Sequence, residues 1–269
     1  YFYTPNIQDV VTGTQSNFET SGGFGPNQVS TILGLGIFIF FVQLMLNSTN
    51  GILQIINGGL VLFFAYRGLI TFSRGGIYTG VAMILLLLAI LYFQANFQTK
   101  PKIAGIILLS FLAALAVWSY SSIKTNGLLD KRYANQDAAG REKKSQLSGR
   151  EILIESELKM FYENPILGVG VGKNKELRKS QTGIDLATHN EITRMLAEHG
   201  TLGIVGLLIL VITPLYLFLV DRQNILALSF FVFWLLTINH AAMRLSAPAF
   251  IYALSLLKVY REAPAVHRK

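Results

Sequence analysis

Residues 29–70 read VSTILGLGIFIFFVQLMLNSTNGILQIINGGLVLFFAYRGLI, and a single charge, Arg67, interrupts them. The uncharged stretch between Glu19 and Arg67 holds 47 residues. Crossing the hydrocarbon core of a bilayer takes about 20, so this stretch contains two crossings, with Asn47-Ser48-Thr49-Asn50-Gly51 as the turn between them. The same pattern recurs outward along the chain. No charge falls between Arg74 and Lys100, Lys102 and Lys124, Glu198 and Asp221, or Arg222 and Arg244, gaps of 25, 21, 22 and 21 residues. Seven spans follow, over about Val29–Leu46, Gly51–Ile70, Gly75–Gln94, Ile103–Ser121, Leu202–Val220, Asn224–His240 and Leu245–Tyr260. The last has only 13 uncharged residues between Arg244 and Lys258, so it reads as a short span or a re-entrant piece. Backbone in lipid must satisfy itself, and runs this uniformly apolar form helices rather than alternating barrel strands. The expected fold is all-α, a polytopic helical membrane protein with a large loop of short helices.

Composition agrees. Charged residues make up 14% of the chain, against about 25% in soluble domains, which excludes a soluble enzyme, a nucleic-acid-binding module and a disordered tail. The formal charge of +8 belongs to a membrane protein's loops and implies no nucleic-acid partner. With no cysteine, disulfides, iron–sulfur clusters and thiolate zinc sites are ruled out. The chain opens on Tyr1 without Met or a basic-then-apolar leader, which predicts that further spans precede it.

Three regions result: 1–121 with four spans, 122–201 as a loop region with a histidine-bearing helix, and 202–269 with the last spans and a tail. Placing Lys100, Lys102 and the basic tail in the cytoplasm satisfies the positive-inside tendency and puts the 122–199 loop on the opposite face. That loop carries 13 Lys/Arg and 11 Asp/Glu, but long loops translocate largely regardless of charge. Arg67, Arg74 and Arg244 then fall at the outer ends of spans. Each can snorkel to lipid headgroups. Three on one face, beside the large loop, also read as a site for a lipid-linked phosphate or pyrophosphate.

Within the loop, Asn164-Pro165-Ile166-Leu167-Gly168-Val169-Gly170-Val171-Gly172 has the glycines of a phosphate cradle but no preceding strand and no Gly-Lys-Ser/Thr ending. A tight turn that lets backbone pack closely is the better reading. Thr188-His189-Asn190-Glu191 fits a capping box, which predicts Thr188 as N-cap, Glu191 at the third helical position and His189 at the first. The helix should stop at Gly200. A neutral imidazole at a helix start, beside free backbone N–H groups that attract anions, is suited to act as a general base. His199, His240 and His267 carry no such context, and no metal-ligand spacing is present, so no metal and no cofactor is expected.

These residues together resemble a family. His189-Asn190, nine further residues, then Gly200-Thr201-Leu202-Gly203 resembles the His-(Asn/Ser/Gln)-x9-Gly-x-x-Gly signature of the bacterial O-antigen ligase and polymerase family. Gly25-Pro26-Asn27 resembles its Gly-x-Asn element, and Ser73-Arg74-Gly75 the Ser-Arg-Gly that opens a family span. Ser148-Gly149-Arg150, followed by Asn164-Pro165 through Gly172, resembles its loop motif. The resemblance covers roughly residues 25 to 210. It implies a metal-independent glycosyltransferase of the bacterial inner membrane, working on the periplasmic face with an undecaprenyl-diphosphate-linked glycan as donor. Arg74 and Arg150 would bind the donor diphosphate, and His189 would activate or orient the hydroxyl of a glycolipid or carrier-linked glycan acceptor. Asn190, Arg67 and Arg244 are possible supporting residues; the last two come from topology alone. A ligase acting on a lipid A–core acceptor leads, with a polymerase, a protein-serine glycosyltransferase and a lipid-glycan transporter as alternatives. A transporter should line its spans with polar residues, and here the deep positions are Leu, Ile, Phe, Ala and Gly.

Overall fold

The computed structural model describes residues 6–143, 151–183, 185–186, 188–239 and 245–259. Its elements are helices α1 (Ile7–Val10), α2 (Pro26–Val42), α3 (Gly51–Leu69), α4 (Arg74–Gln94), α5 (Lys100–Lys124), α6 (Leu128–Tyr133), α7 (Glu151–Glu163), α8 (Lys173–Thr182), α9 (Glu191–Val220), α10 (Ala227–Thr237) and α11 (Ala247–Ser255). A π-helical turn, Gln43–Asn47, prolongs α2.

Helix boundaries follow local chemistry. Pro26 opens α2, where its missing N–H costs nothing. The Asn50 side chain caps α3 by accepting from the Leu53 N–H at 2.9 Å. Among the described residues, five helices are long and apolar enough to cross a membrane: α2 with its π turn, α3, α4, α5 and α9. They coincide with the first five expected spans. The last two segments differ. They contain α10, of 11 residues, and α11, of 9, which rise about 16 and 14 Å, well short of a 30 Å hydrocarbon core. Asn224 turns the chain before α10, its Oδ1 accepting from the Leu226 N–H at 3.2 Å, and ties the end of the α11 segment to that turn, its Nδ2 donating to Leu257 O at 3.0 Å. Within the described residues the two short helices pack against each other, and α10 also packs against α4.

Close backbone contact between α2 and α4 sets the bundle. A Cβ on Gly34 would lie 2.0 Å from Gly76 O, one on Gly76 2.0 Å from Ser30 O, and one on Gly80 2.6 Å from Gly34 O. The pairing advances from Ser30–Gly76 to Gly34–Gly80, so α2 and α4 run parallel and begin at the same rim. Below that contact, Leu35, Phe38, Val42, Met83, Leu87, Phe233 and Ile251 form a buried core. α10 joins it through Ser229 Oγ, which donates to Met83 O at 3.0 Å. The outer faces of α3 and α5 expose Ile52, Ile55, Leu108, Leu109 and Phe111, as helices in lipid do.

Candidate active site

Arg74 begins α4, and the turn that presents it is held from several sides. The buried Phe72 takes a positive φ of 58°, a left-handed conformation that costs a non-glycine residue energy and persists only under external restraint. The restraint is visible. Thr71 Oγ1 donates to Gly68 O at 2.7 Å, Ser30 Oγ donates to Ser73 O at 2.8 Å, and Ser73 Oγ donates to Asn27 Oδ1 at 2.7 Å. From α6, Arg132 Nε donates to Phe72 O at 2.9 Å. Two sequence elements 46 residues apart, Gly25-Pro26-Asn27 and Ser73-Arg74-Gly75, thus meet as one corner.

Cations gather at this corner. Arg74 is half-buried, and its guanidinium lies 3.5 Å from Arg132 O. Lys143 donates to Thr14 O at 3.3 Å. Burial holds the Lys143 ammonium below the usual lysine pKa, and the charges of Arg132 and Arg74 lower it further. Beside them, Tyr133 is wedged between Trp118 and Tyr78 at centroid distances of 4.7 and 5.7 Å. Burial, then Tyr78, raises its phenol pKa. Arg132 and Lys143 escaped the sequence reading; their one signal was a position just after the fourth span. Arg67 does something else: it is buried, and its NH2 donates to Thr20 O at 3.3 Å, bracing the opening segment against the end of α3.

The histidine segment is built differently. Asn190, not Thr188, is the N-cap of α9: its Oδ1 accepts from the N–H groups of Ile192 at 2.9 Å and Thr193 at 3.4 Å. Asn outranks Thr as an N-cap, and Glu191 pairs with Arg194 at 2.7 Å instead of reaching back. His189 therefore lies one residue before the cap, half-buried. The early amides of α9 are all engaged: Glu191 N–H donates to Ile238 O at 2.9 Å, those of Ile192 and Thr193 to the cap side chain, and that of Arg194 to Asn190 O. The expectation that this helix start offers free N–H groups to an anion is corrected accordingly. Asn190 acts as a cap.

Gly200 breaks α9 with φ 60° and ψ −136°, a backbone state open to glycine. The arm 191–199 and the apolar stretch after it fold so closely that a Cβ on Gly203 would lie 2.2 Å from Met195 O. The glycine-rich loop wraps this bend. Val169 N–H donates to Ala197 O at 2.8 Å and Gly170 N–H to Glu198 O at 3.1 Å, while Thr201 N–H donates to Pro165 O at 2.8 Å. Carbonyls at the arm's end and an amide at the next helix's start would otherwise lack partners. A Cβ on Gly168 would meet Glu198 C at 2.4 Å. Here the close-packing reading of the glycine run holds.

A buried charge cluster ties the loop helices to the arm. Glu157 on α7 and Arg178 on α8 are both fully buried, with NH1 and Oε1 3.0 Å apart. Glu157 Oε1 also accepts from Asn174 Nδ2 at 3.2 Å, and its Oε2 from Thr193 Oγ1 at 2.6 Å. Arg178 NH2 donates to Leu186 O at 2.8 Å. Arg74 and His189 thus belong to separate groups of contacts, and the α10 segment touches both, through Ser229 to α4 and, at the residue that ends the helix, through Ile238 to α9. Arg150 and Arg244 lie outside the described residues.

Taken together, a helical membrane bundle with a cationic corner and a histidine arm locked by a wrapped loop defines a polytopic membrane protein with a polar loop assembly at its periphery. The chain belongs to the O-antigen ligase family: the family model described as O-antigen ligase matches residues 59–208, more than half of its length. That places it among membrane proteins of the ligase and polymerase type that transfer glycosyl groups. Comparisons with curated proteins and with solved structures find no match.

Proposed function

We propose that this protein transfers a glycan from an undecaprenyl-diphosphate carrier to a lipid A–core or similar glycolipid hydroxyl, without a metal, on the periplasmic face of the bacterial inner membrane. The observation that carries the reading is the corner at Arg74, where a restrained turn presents a half-buried guanidinium beside two further cations. Outside the cytoplasm no nucleotide sugar is at hand, so the glycan must arrive on an activated lipid. A departing diphosphate needs fixed positive charge, and arginine supplies it as a bidentate fork.

In this mechanism Arg74 and Arg150 hold the diphosphate. The acceptor oxygen bonds to the anomeric carbon while the bond from that carbon to the diphosphate oxygen breaks, and the electron pair leaves on the phosphate. His189 takes the proton of the acceptor hydroxyl. Stabilising the departing charge is the larger contribution, on the order of 2.7–4 kcal/mol per donor removed.

Transfer assays on the full chain in proteoliposomes, with purified lipid-linked donor, test this. His189→Ala should abolish transfer with insertion intact. Arg74→Lys should lose most turnover, because a point charge does not reproduce the fork. Normal turnover in either removes that residue from its role. Product that lengthens on the carrier without any core acceptor would identify a polymerase instead.

A further inference from the structure

We infer that the buried Glu157–Arg178 pair is the device that positions His189, which makes Glu157, Arg178 and Thr193 positioning residues of the transfer; this rests on the role proposed above for His189.

The two charged groups grip the histidine segment on both sides. Upstream, Arg178 NH2 holds the carbonyl of Leu186, three residues before His189, at 2.8 Å. Downstream, Glu157 Oε2 holds the hydroxyl of Thr193, four residues after it, at 2.6 Å. The grips are not independent, since Arg178 NH1 and Glu157 Oε1 stand 3.0 Å apart with both side chains fully buried. Asn174 fixes the carboxylate again, from α8, at 3.2 Å. One planar guanidinium therefore fixes one carboxylate and one backbone carbonyl in its own plane, and its rigid fork sets both directions at once. Lysine, a point charge, cannot do this.

Stability alone is a weak account of such a pair. Desolvating two charges consumes most of what their attraction returns, and well-packed apolar residues commonly serve as well or better. What the pair adds is directional geometry across three elements, α7, α8 and the start of α9. A second, solvent-exposed tie runs in the same direction: Asp185 bonds Lys175 and Lys179 at 2.9 Å each, closing α8 onto the segment that leads to His189.

The test uses the full chain reconstituted with purified lipid-linked donor, with turnover expressed per folded molecule. Glu157→Gln keeps the shape and removes the charge. Its kcat should fall about 10²-fold, the scale of an ångström misplacement, with the donor KM within about twofold. Thr193→Val, nearly isosteric, should show a smaller loss of the same kind. The apolar double replacement Glu157→Leu with Arg178→Met keeps the volume filled, and it should fold yet remain slow. Wild-type kcat in Thr193→Val or in the apolar double variant overturns the inference, as does a Glu157→Gln defect confined to the yield of folded protein. His189→Ala in the same assay separates the two levels. An inactive His189→Ala beside a normal Glu157→Gln refutes the positioning role alone, whereas an active His189→Ala refutes the reading beneath it.

Discussion

The corner that presents Arg74 and the arm that carries His189 solve one problem, fixing a polar group at the edge of an apolar bundle, with different materials. At the corner the fixing groups are glycines and hydroxyls: α2 and α4 touch at Gly34, Gly76 and Gly80, and Ser30, Thr71 and Ser73 bond the turn. At the arm they are a buried ion pair, a side-chain cap and a loop bonded onto a bend. The corner draws its order from helices that lipid already forces to form. The arm lies among loop helices rich in polar residues, so directional bonds between charged groups add to the burial of Leu153, Met160 and Ala197.

That contrast sets the scale of what substitutions should do. The largest effect belongs to the corner. Gly76→Val puts side-chain atoms into the backbone of Ser30, whose O lies 2.0 Å from the first of them, and helices in contact cannot yield locally. Loss of monodisperse folded protein in detergent is the expected result, and a variant that melts within a few degrees of wild type would mean that α2 and α4 are not in backbone contact. Next comes Arg178→Met, which strands the Glu157 carboxylate and should cost about 3–5 kcal/mol, read as a drop in melting temperature that Glu157→Leu reverses. Failure of that reversal would show that the arm depends on charge for its stability as well as its geometry.

Asn190→Ala should be milder, about 1 kcal/mol for a lost cap, with Asn190→Asp close to wild type in a thermal melt. Equal losses in both would move the cap elsewhere. The smallest effect lies at Asp185, whose carboxyl is brought down to about 2 from an ordinary value near 3.8 by hydrogen bonds from Lys175 and Lys179 and by their charges. A depressed folded-state pKa contributes stability above the unfolded value and loses it as pH falls toward 2. Asp185→Asn should therefore lower the melting temperature only slightly at neutral pH, since the group is exposed and screened, and that small difference from wild type should close as pH falls from about 4 to 2.

How far the sequence could be read follows the same division. Charge-free stretches fixed the five long helices, because bilayer thickness is a length that residues can be counted against. Gly200 read correctly as a break, and the 164–172 run as a place of close backbone approach, since each turns on a missing side chain. The pairing of Glu157 with Arg178 was not legible. Thirteen bases and eleven acids share that loop, and only burial in the folded chain selects which two meet. Arg132 was hidden for a related reason: it acts on Phe72, 60 residues away. The cap shifted from Thr188 to Asn190 because both fit a local pattern, and a contact with Ile238 closes the helix start that Asn190 caps.

The bend at Gly200 has a consequence for how the arm is measured out. Its far end is stopped by the Asn190 cap and its near end by the wrapped glycine, so the nine residues 191–199 act as a ruler. Adding one residue would push the tip forward by about 1.5 Å and swing it around the rod by about 100°. The imidazole would then face another quarter of the compass. Length, on this arm, is an angular setting.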